Sequence, residues 1–311
     1  MARFGDAGER RLIEDFASFI RKDGIIGPGD DACIVDGGAV ASTDIVTFER
    51  HCPDGLTSEQ FGWYAAAVSF SDLAAMGARP TGILASLALP SDLDVQAAYD
   101  IMSGISQCAE YCGTGIAGGD TKTGPGVVCT TALGVMDERS PMLRSGARPG
   151  DVVAVTGPLG GPAAGFTSIG LGIPADAARE SLYVPIPRVT EVIALASTGA
   201  VTSCMDLSDG LGTALNTLCS DSGVGIDVEL SFIPKGPSVD EMSAASGKSL
   251  EDLLLGWGGE YELLFTADPE RLEELYDSET EFHIIGMVND SGSPFLLKDG
   301  KRTPILFGEY R

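Results

Sequence analysis

The chain has 311 residues, 44% hydrophobic and 21% charged, so it can bury a sizeable core and wholesale disorder is excluded. Lys and Arg number 20 against 45 Asp and Glu, a formal net charge of −25. That balance repels nucleic acid and anionic membranes, and it makes the approach of any polyanionic ligand dependent on cations. The simpler reading of the charge is an acidic, soluble surface, as in a salt-rich cytoplasm.

Only two histidines are present, His51 and His283, which excludes zinc sites built from several imidazoles. The seven cysteines include no Cys-x-x-Cys pair and fit reduced cytosolic thiols; Cys108 and Cys112, one helical turn apart, read as core packing. Residues 1–22 carry charges throughout, and no run of about 18 apolar residues occurs. A soluble, cytoplasmic protein without membrane or nucleic-acid partners is expected.

In chain order, Leu12, Ile13, Phe16, Phe19 and Ile20 at helical spacing predict an amphipathic helix. Strands follow near 32–36 and 39–43, separated by the Gly37-Gly38 turn. Residues 58–76 read as a long helix of small and apolar residues ended by Gly77. A strand (81–89), a helix (94–112), a short strand ending at Gly118-Gly119 and a strand (127–135) complete an α+β sandwich over 1–137. The polar, Gly- and Pro-bearing segment 137–150 marks a boundary, and 138–311 form a second, α/β domain. It begins with a strand at 152–156 and a Gly-rich stretch, 157–165. Helices near 187–198, 209–221 and 268–276 and strands near 226–230, 261–266, 282–288 and 294–297 follow.

The informative feature is the company the aspartates keep. Gly29-Asp30-Asp31, Ser42-Thr43-Asp44, Ser71-Asp72, Gly118-Gly119-Asp120-Thr121 and Asp206-Leu-Ser208-Asp209-Gly210 each place Asp beside small residues at the end of an element. Any one of them is most simply a turn or a helix cap. Five together suggest carboxylates gathered around hard divalent cations, with room for a polyphosphate to approach. Other nucleotide signatures are missing. There is no Gly-x-x-x-x-Gly-Lys-Ser/Thr loop, and the 157–165 stretch does not fit Gly-x-Gly-x-x-Gly. A Gly-x-Ser-x-Gly nucleophile elbow is absent as well.

These segments, with Ser71-Asp-Leu-Ala-Ala-Met-Gly-Ala78 followed by Arg79-Pro80 and with Arg144-Ser-Gly-Ala-Arg-Pro-Gly-Asp151, resemble thiamine-monophosphate kinase in order and spacing. That family lies within the aminoimidazole ribonucleotide synthetase superfamily. The resemblance implies an N-terminal α+β domain whose sheet pairs across a homodimer, and a C-terminal α/β domain of the aminoimidazole ribonucleotide synthetase type. It also implies ATP- and Mg²⁺-dependent phosphorylation of thiamine monophosphate to thiamine diphosphate, with several Mg²⁺ ions per site.

By the resemblance, Asp30, Asp31, Ser42, Thr43, Asp44, Asp72, Asp120, Asp206 and Asp209 hold metal. Gly119, Asp120, Arg144 and Ser208 contact ATP, and Asp72, Asp120, Asp209 and Arg144 carry the transfer. His51, Glu260 and Tyr310 face the acceptor. Three segments depart from the family pattern: Ile45–Cys52 lacks a Gly and adds Arg50, Gly258–Leu263 is one residue shorter, and Gly308-Glu309-Tyr310 offsets the terminal aromatic. Ser69 stands where the family has Asn. A superfamily member acting on another small acceptor and an idle nucleotide-binding scaffold are the alternatives.

Overall fold

The computed structural model describes Phe16 and residues 26–27, 29–35 and 37–306. Of the helix expected around Leu12–Ile20, only Phe16 is among them; Tyr310 lies outside the described residues. The first half contains β1 (Cys33–Val35), β2 (Ala39–Thr47), α1 (Phe48–His51), α2 (Ser58–Ala75), β3 (Arg79–Leu89), α3 (Val95–Tyr111), β4 (Ile116–Thr123) and β5 (Val127–Val135). The second half opens with β6 (Val152–Val155), α4 (Gly161–Leu171), α5 (Asp176–Tyr183), α6 (Val189–Thr198), β7 (Val201–Asp206) and α7 (Leu211–Ser222). It continues with β8 (Gly225–Glu229), α8 (Val239–Ser246), α9 (Leu250–Leu254), β9 (Leu263–Ala267), α10 (Leu272–Asp277), β10 (His283–Asn289), β11 (Pro294–Lys298) and β12 (Lys301–Pro304).

The strands form two mixed sheets, ordered β1-β2-β5-β3-β4 and β12-β11-β8-β10-β6-β9-β7, so the chain is α+β. In the first, β3 and β4 run parallel through the α3 crossover. In the second, β8 and β11 are the parallel pair among the described residues. Along β6, Val152 and Ala154 enter one core cluster while Val153 and Val155 enter the other. Alternation along the strand therefore buries both faces of the second sheet. On one face it meets the helical layer of the first half; on the other it meets the second half's own helices.

Helix α2 is the element between the two sheets. Twelve of its 18 residues are buried, too many for a single amphipathic stripe, and it packs on β2, β5 and α3 while reaching α6 and β7 of the second half. Its start is a reciprocal capping box between Thr57 and Gln60. Its end is a Schellman turn, in which Gly77 N–H donates to Ala74 O (2.8 Å) and Ala78 N–H to Leu73 O (3.0 Å). Gly77 adopts φ +74°, as the turn requires. Helices α2 and α3 cross at two glycines: a Cβ on Gly62 would lie 1.9 Å from Ile101 O, and one on Gly104 1.9 Å from Glu59 O.

Three departures from the sequence expectation matter for the site. β2 continues to Thr47, four residues beyond the expected end, and carries Asp44 within the strand. β4 runs through Gly118-Gly119 to Thr123. β7 was not expected, because Thr202, Ser203 and Asp206 mask its apolar character, yet Ser203–Asp206 are all buried. Helices α4, α5, α8 and α9 and the terminal strand β12 were also not anticipated; in α4, Gly161, Pro162 and Gly165 read as loop formers. Cys108 and Cys112 are both buried in the core. Among the described residues, no helix is long and apolar enough to cross a membrane.

Candidate active site

The site lies where α2 meets the beginning of the chain's first sheet and the end of β7. Alternation along β2 places Ser42, Asp44 and Val46 on the face toward α2 and turns Thr43 and Ile45 outward. On α2, Tyr64, Val68 and Asp72 recur at i, i+4 and i+8 and share one ridge. Tyr64, Val68 and Asp72, with Asp44, Ile45, Val46, His51, Asp206, Ser208 and Tyr261, line a cavity of about 120 Å³.

Carboxylate oxygens of Asp31, Asp72 and Asp206 all lie within 4.8 Å of one another. Asp44 joins them through contacts with Asp72 and Ser42, and Ser42 Oγ donates a short hydrogen bond to Asp72. Asp206 accepts from Ser71 Oγ at 2.8 Å and Ser208 Oγ at 3.0 Å. Arg144 is the cation of the cluster: its Nη2 and Nε reach Asp31 Oδ1 at 2.6 and 3.2 Å.

Burial pushes all four acids upward from the usual carboxylate range. For Asp31, desolvation outweighs the attraction of Arg144. Asp72 is raised well above its ordinary value by burial and by the charges of Asp206, Asp44 and Asp31. Asp44 is raised by burial, and Asp206 is pushed up to about 7 by burial and the charge of Asp31. Asp31 Oδ2 and Asp44 Oδ2 are buried without a hydrogen-bond partner. A buried carboxylate oxygen that lacks a donor is costly to the fold and suited to a hard cation. The donor set, carboxylates and a hydroxyl with no thiol or imidazole in it, fits Mg²⁺.

The remaining expected residues are placed as follows. Asp30 turns to the backbone, accepting from Arg144 N–H at 3.0 Å. The Thr43 hydroxyl is on the opposite face of β2, bonded to Thr131 Oγ1 and Thr130 O, so its side chain is not in the cluster. Asp120 is exposed on the outer strand β4 and pairs with Lys122 at 2.8 Å. Gly119 is exposed beside it; a Cβ there would lie 1.7 Å from Ala85 O, so close strand packing alone demands glycine. Asp209 is exposed in the turn between β7 and α7. The loop after α9 rests on this turn, with Gly259 N–H donating to Ser208 O at 2.8 Å.

Glu260 is buried, and its Oε1 accepts from Gly160 N–H at 2.7 Å at the start of α4. It is pushed up to about 8 by burial and the nearby Glu262, against the Gly160 hydrogen bond. Glu260 is not among the residues lining the cavity, and it satisfies an unpaired donor of a helix start. Glu262 is likewise structural, accepting from Thr156 Oγ1 at 2.7 Å and Arg188 Nε at 2.8 Å. Ser69 Oγ bonds Thr130 Oγ1 at 2.9 Å, away from the cluster. His51 does line the cavity. Its Nδ1 accepts from Thr47 N–H at 3.0 Å, and burial lowers its pKa, so the neutral ring carries its proton on Nε2.

Sequence reasoning missed two residues of this wall. Tyr64, like its neighbours Phe61 and Trp63, falls within the helix read at 58–76 as small and apolar, and Tyr261 at the start of the strand read near 261–266. Phe61 is buried and Trp63 Nε1 donates to Pro185 O at 2.7 Å, but Tyr64 faces the cavity. The i, i+4, i+8 spacing to Asp72 is the signal that could have found it.

Residues 29–136 match the family described as AIR synthase related protein, N-terminal domain, and residues 148–298 its C-terminal domain. The chain is 35% identical over 247 residues to the thiamine-monophosphate kinase of Methanopyrus kandleri, covering 79% of each chain. It is 33% identical over 271 residues to that of Methanospirillum hungatei, covering 84% of this chain and 88% of the other. Among solved structures, AaThiL complexed with AMPPCP and TMP superposes with a TM-score of 0.86 at 27% identity over 97% of both chains. With the cluster of Asp31, Asp44, Asp72, Asp206 and Arg144 in place, these matches show that the chain belongs to the thiamine-monophosphate kinase family.

Proposed function

We propose that this protein transfers the γ-phosphoryl group of ATP to the phosphate of thiamine monophosphate, forming thiamine diphosphate and ADP. The observation that carries the reading is the set of converging carboxylates, half-buried to buried, with two orphaned buried oxygens, in a chain of this family. A bond forms between an acceptor phosphate oxygen and the γ-phosphorus as the bond to the bridging oxygen of ADP breaks. The acceptor oxygen is already anionic, so no strong base is needed, which suits a site whose single imidazole is neutral. Catalysis is then positioning and neutralisation of charge.

Asp31, Asp44, Asp72 and Asp206 would hold Mg²⁺, with Ser42 orienting Asp72; the bound metal supplies neutralisation of the transferring group's negative charge. Arg144, now paired with Asp31, would turn toward ATP phosphates, and Ser208, which lines the cavity, would contact them. Asp209, at the edge of the same turn, would complete the metal set when ATP is bound. Gly119 and Asp120 belong to the nucleotide side of the proposal, and so does a homodimer. β4 ends the first sheet with almost every residue exposed, an edge available for pairing with a second copy. A two-domain division at 137/138, a cytoplasmic location and an acceptor contact from Tyr310 complete the reading.

The test is ADP release from ATP and Mg²⁺ with and without thiamine monophosphate. Release that depends on the acceptor is expected. Release that proceeds equally with other phosphomonoesters and not with thiamine monophosphate would move the acceptor assignment elsewhere.

A further inference from the structure

Beside the carboxylates the cavity lining is neutral: His51, Tyr64 and Tyr261 share about 120 Å³ with Asp44, Asp72 and Asp206. Tyr64 and Tyr261 hydroxyls are 2.9 Å apart, with rings edge to face at 5.8 Å. The two residues come from α2 and from the loop before β9, so the pair joins the two halves of the chain across the site.

The backbone of Tyr261 is at φ +52°. A bulky side chain there costs about 1–3 kcal/mol and persists only where the surroundings hold it. The loop that holds it, residues 258–263, is the one that departs in length from the family pattern. Tyr261 is buried, and Tyr64 is the more accessible of the two. Either hydroxyl can donate to the other; with Tyr261 donating, the O–H of Tyr64, the more accessible residue, is left to donate to a ligand. A phenol carries its proton near neutral pH and is therefore a donor. A neutral donor can hold an anionic phosphate oxygen without competing with the carboxylates for cations, as a lysine in the same place would.

We infer that Tyr64 donates a hydrogen bond to the phosphate of the acceptor and that Tyr261 is a positioning residue acting through it. The pair fixes the acceptor oxygen beside the acid cluster and helps set acceptor specificity. The assignment rests on the phosphoryl-transfer reading above.

The experiment is steady-state kinetics of the full chain with Tyr64→Phe, Tyr261→Phe and the double variant, varying ATP and thiamine monophosphate separately. Loss of a hydrogen bond to a charged group lowers kcat/KM for the acceptor about tenfold or more in Tyr64→Phe, while KM for ATP is unchanged. Tyr261→Phe shows a smaller loss, and the double variant matches Tyr64→Phe alone, because Tyr261 has nothing left to orient. An unchanged ATP KM also reports that the variants are folded. Acceptor kcat/KM within twofold of wild type in Tyr64→Phe overturns the assignment. So do losses that add in the double variant, and so does an equal rise in KM for both substrates. Wild-type protein that forms no thiamine diphosphate overturns the underlying function and the assignment with it, an outcome distinct from active wild type with an unaffected variant.

Discussion

Replacing Asp206 by Asn separates a binding role from a structural one, because the two predict opposite changes in stability. Asp206 is buried and pushed up from 3.8 to about 7. An acid with a raised folded pKa holds its proton more tightly when folded. It is no burden below pH 3.8, becomes progressively destabilising between pH 3.8 and 7, and stays so above. The gap corresponds to about 4 kcal/mol at pH 8. Asn removes that term but weakens the hydrogen bonds from Ser71 and Ser208, at about 1 kcal/mol each. In urea unfolding with EDTA, Asp206→Asn should therefore be more stable than wild type by about 2 kcal/mol at pH 8, with a difference close to zero at pH 5. Mg²⁺ should raise the stability of wild type at pH 8 and that of the variant, which keeps Asp31, Asp44 and Asp72, by less. A variant less stable than wild type at both pH values, by the same amount, would refute the reasoning and make Asp206 an ordinary structural acid.

Asp72→Asn should abolish acceptor-dependent ADP release with an unchanged circular dichroism spectrum; retention of more than a tenth of the wild-type rate would remove Asp72 from the reaction. Glu260→Gln keeps an acceptor for Gly160 N–H and should leave acceptor KM within about twofold, whereas Glu260→Ala strands that donor and should cost about 1–3 kcal/mol in urea unfolding. A tenfold rise in acceptor KM for Glu260→Gln would make this residue a substrate contact after all. Arg188→Ala leaves the buried Glu262 without its ion-pair partner and should destabilise by about 3–5 kcal/mol, measured by the same unfolding assay; a change below 1 kcal/mol would contradict it. Gly104→Ala places a Cβ 1.9 Å from Glu59 O and should lower the melting temperature as α2 and α3 separate, at a cost of at least about 1–3 kcal/mol. An unaltered melting curve would mean that the helices do not cross so closely.

The acid cluster was legible because small or hydroxyl-bearing neighbours mark Asp31, Asp44, Asp72 and Asp206 locally. Their mutual distance is a tertiary fact, yet four separate segments with the same local signature already suggested it. Thr43 illustrates what was lost by ending β2 at residue 43: only a strand that includes Asp44 shows Ser42 and Asp44 sharing a face that excludes Thr43. Tyr64 was obscured by its helix, in which small and apolar residues surround every side and no polar stripe marks the cavity. Glu260 was an acceptor contact by the family resemblance alone; its hydrogen bond from Gly160 N–H, 100 residues away in sequence, is a tertiary pairing that no local pattern shows. Asp120 and Gly119 sit on an outer strand, and their role depends on what meets that edge.

Transfer of phosphate from ATP onto thiamine monophosphate is tested most directly by incubating the wild-type protein with γ-labelled ATP, Mg²⁺ and thiamine monophosphate and separating the products. Label is expected in the terminal phosphate of thiamine diphosphate, equimolar with ADP and abolished by EDTA. Label released only as inorganic phosphate, or none transferred by folded protein that binds both substrates, would contradict it.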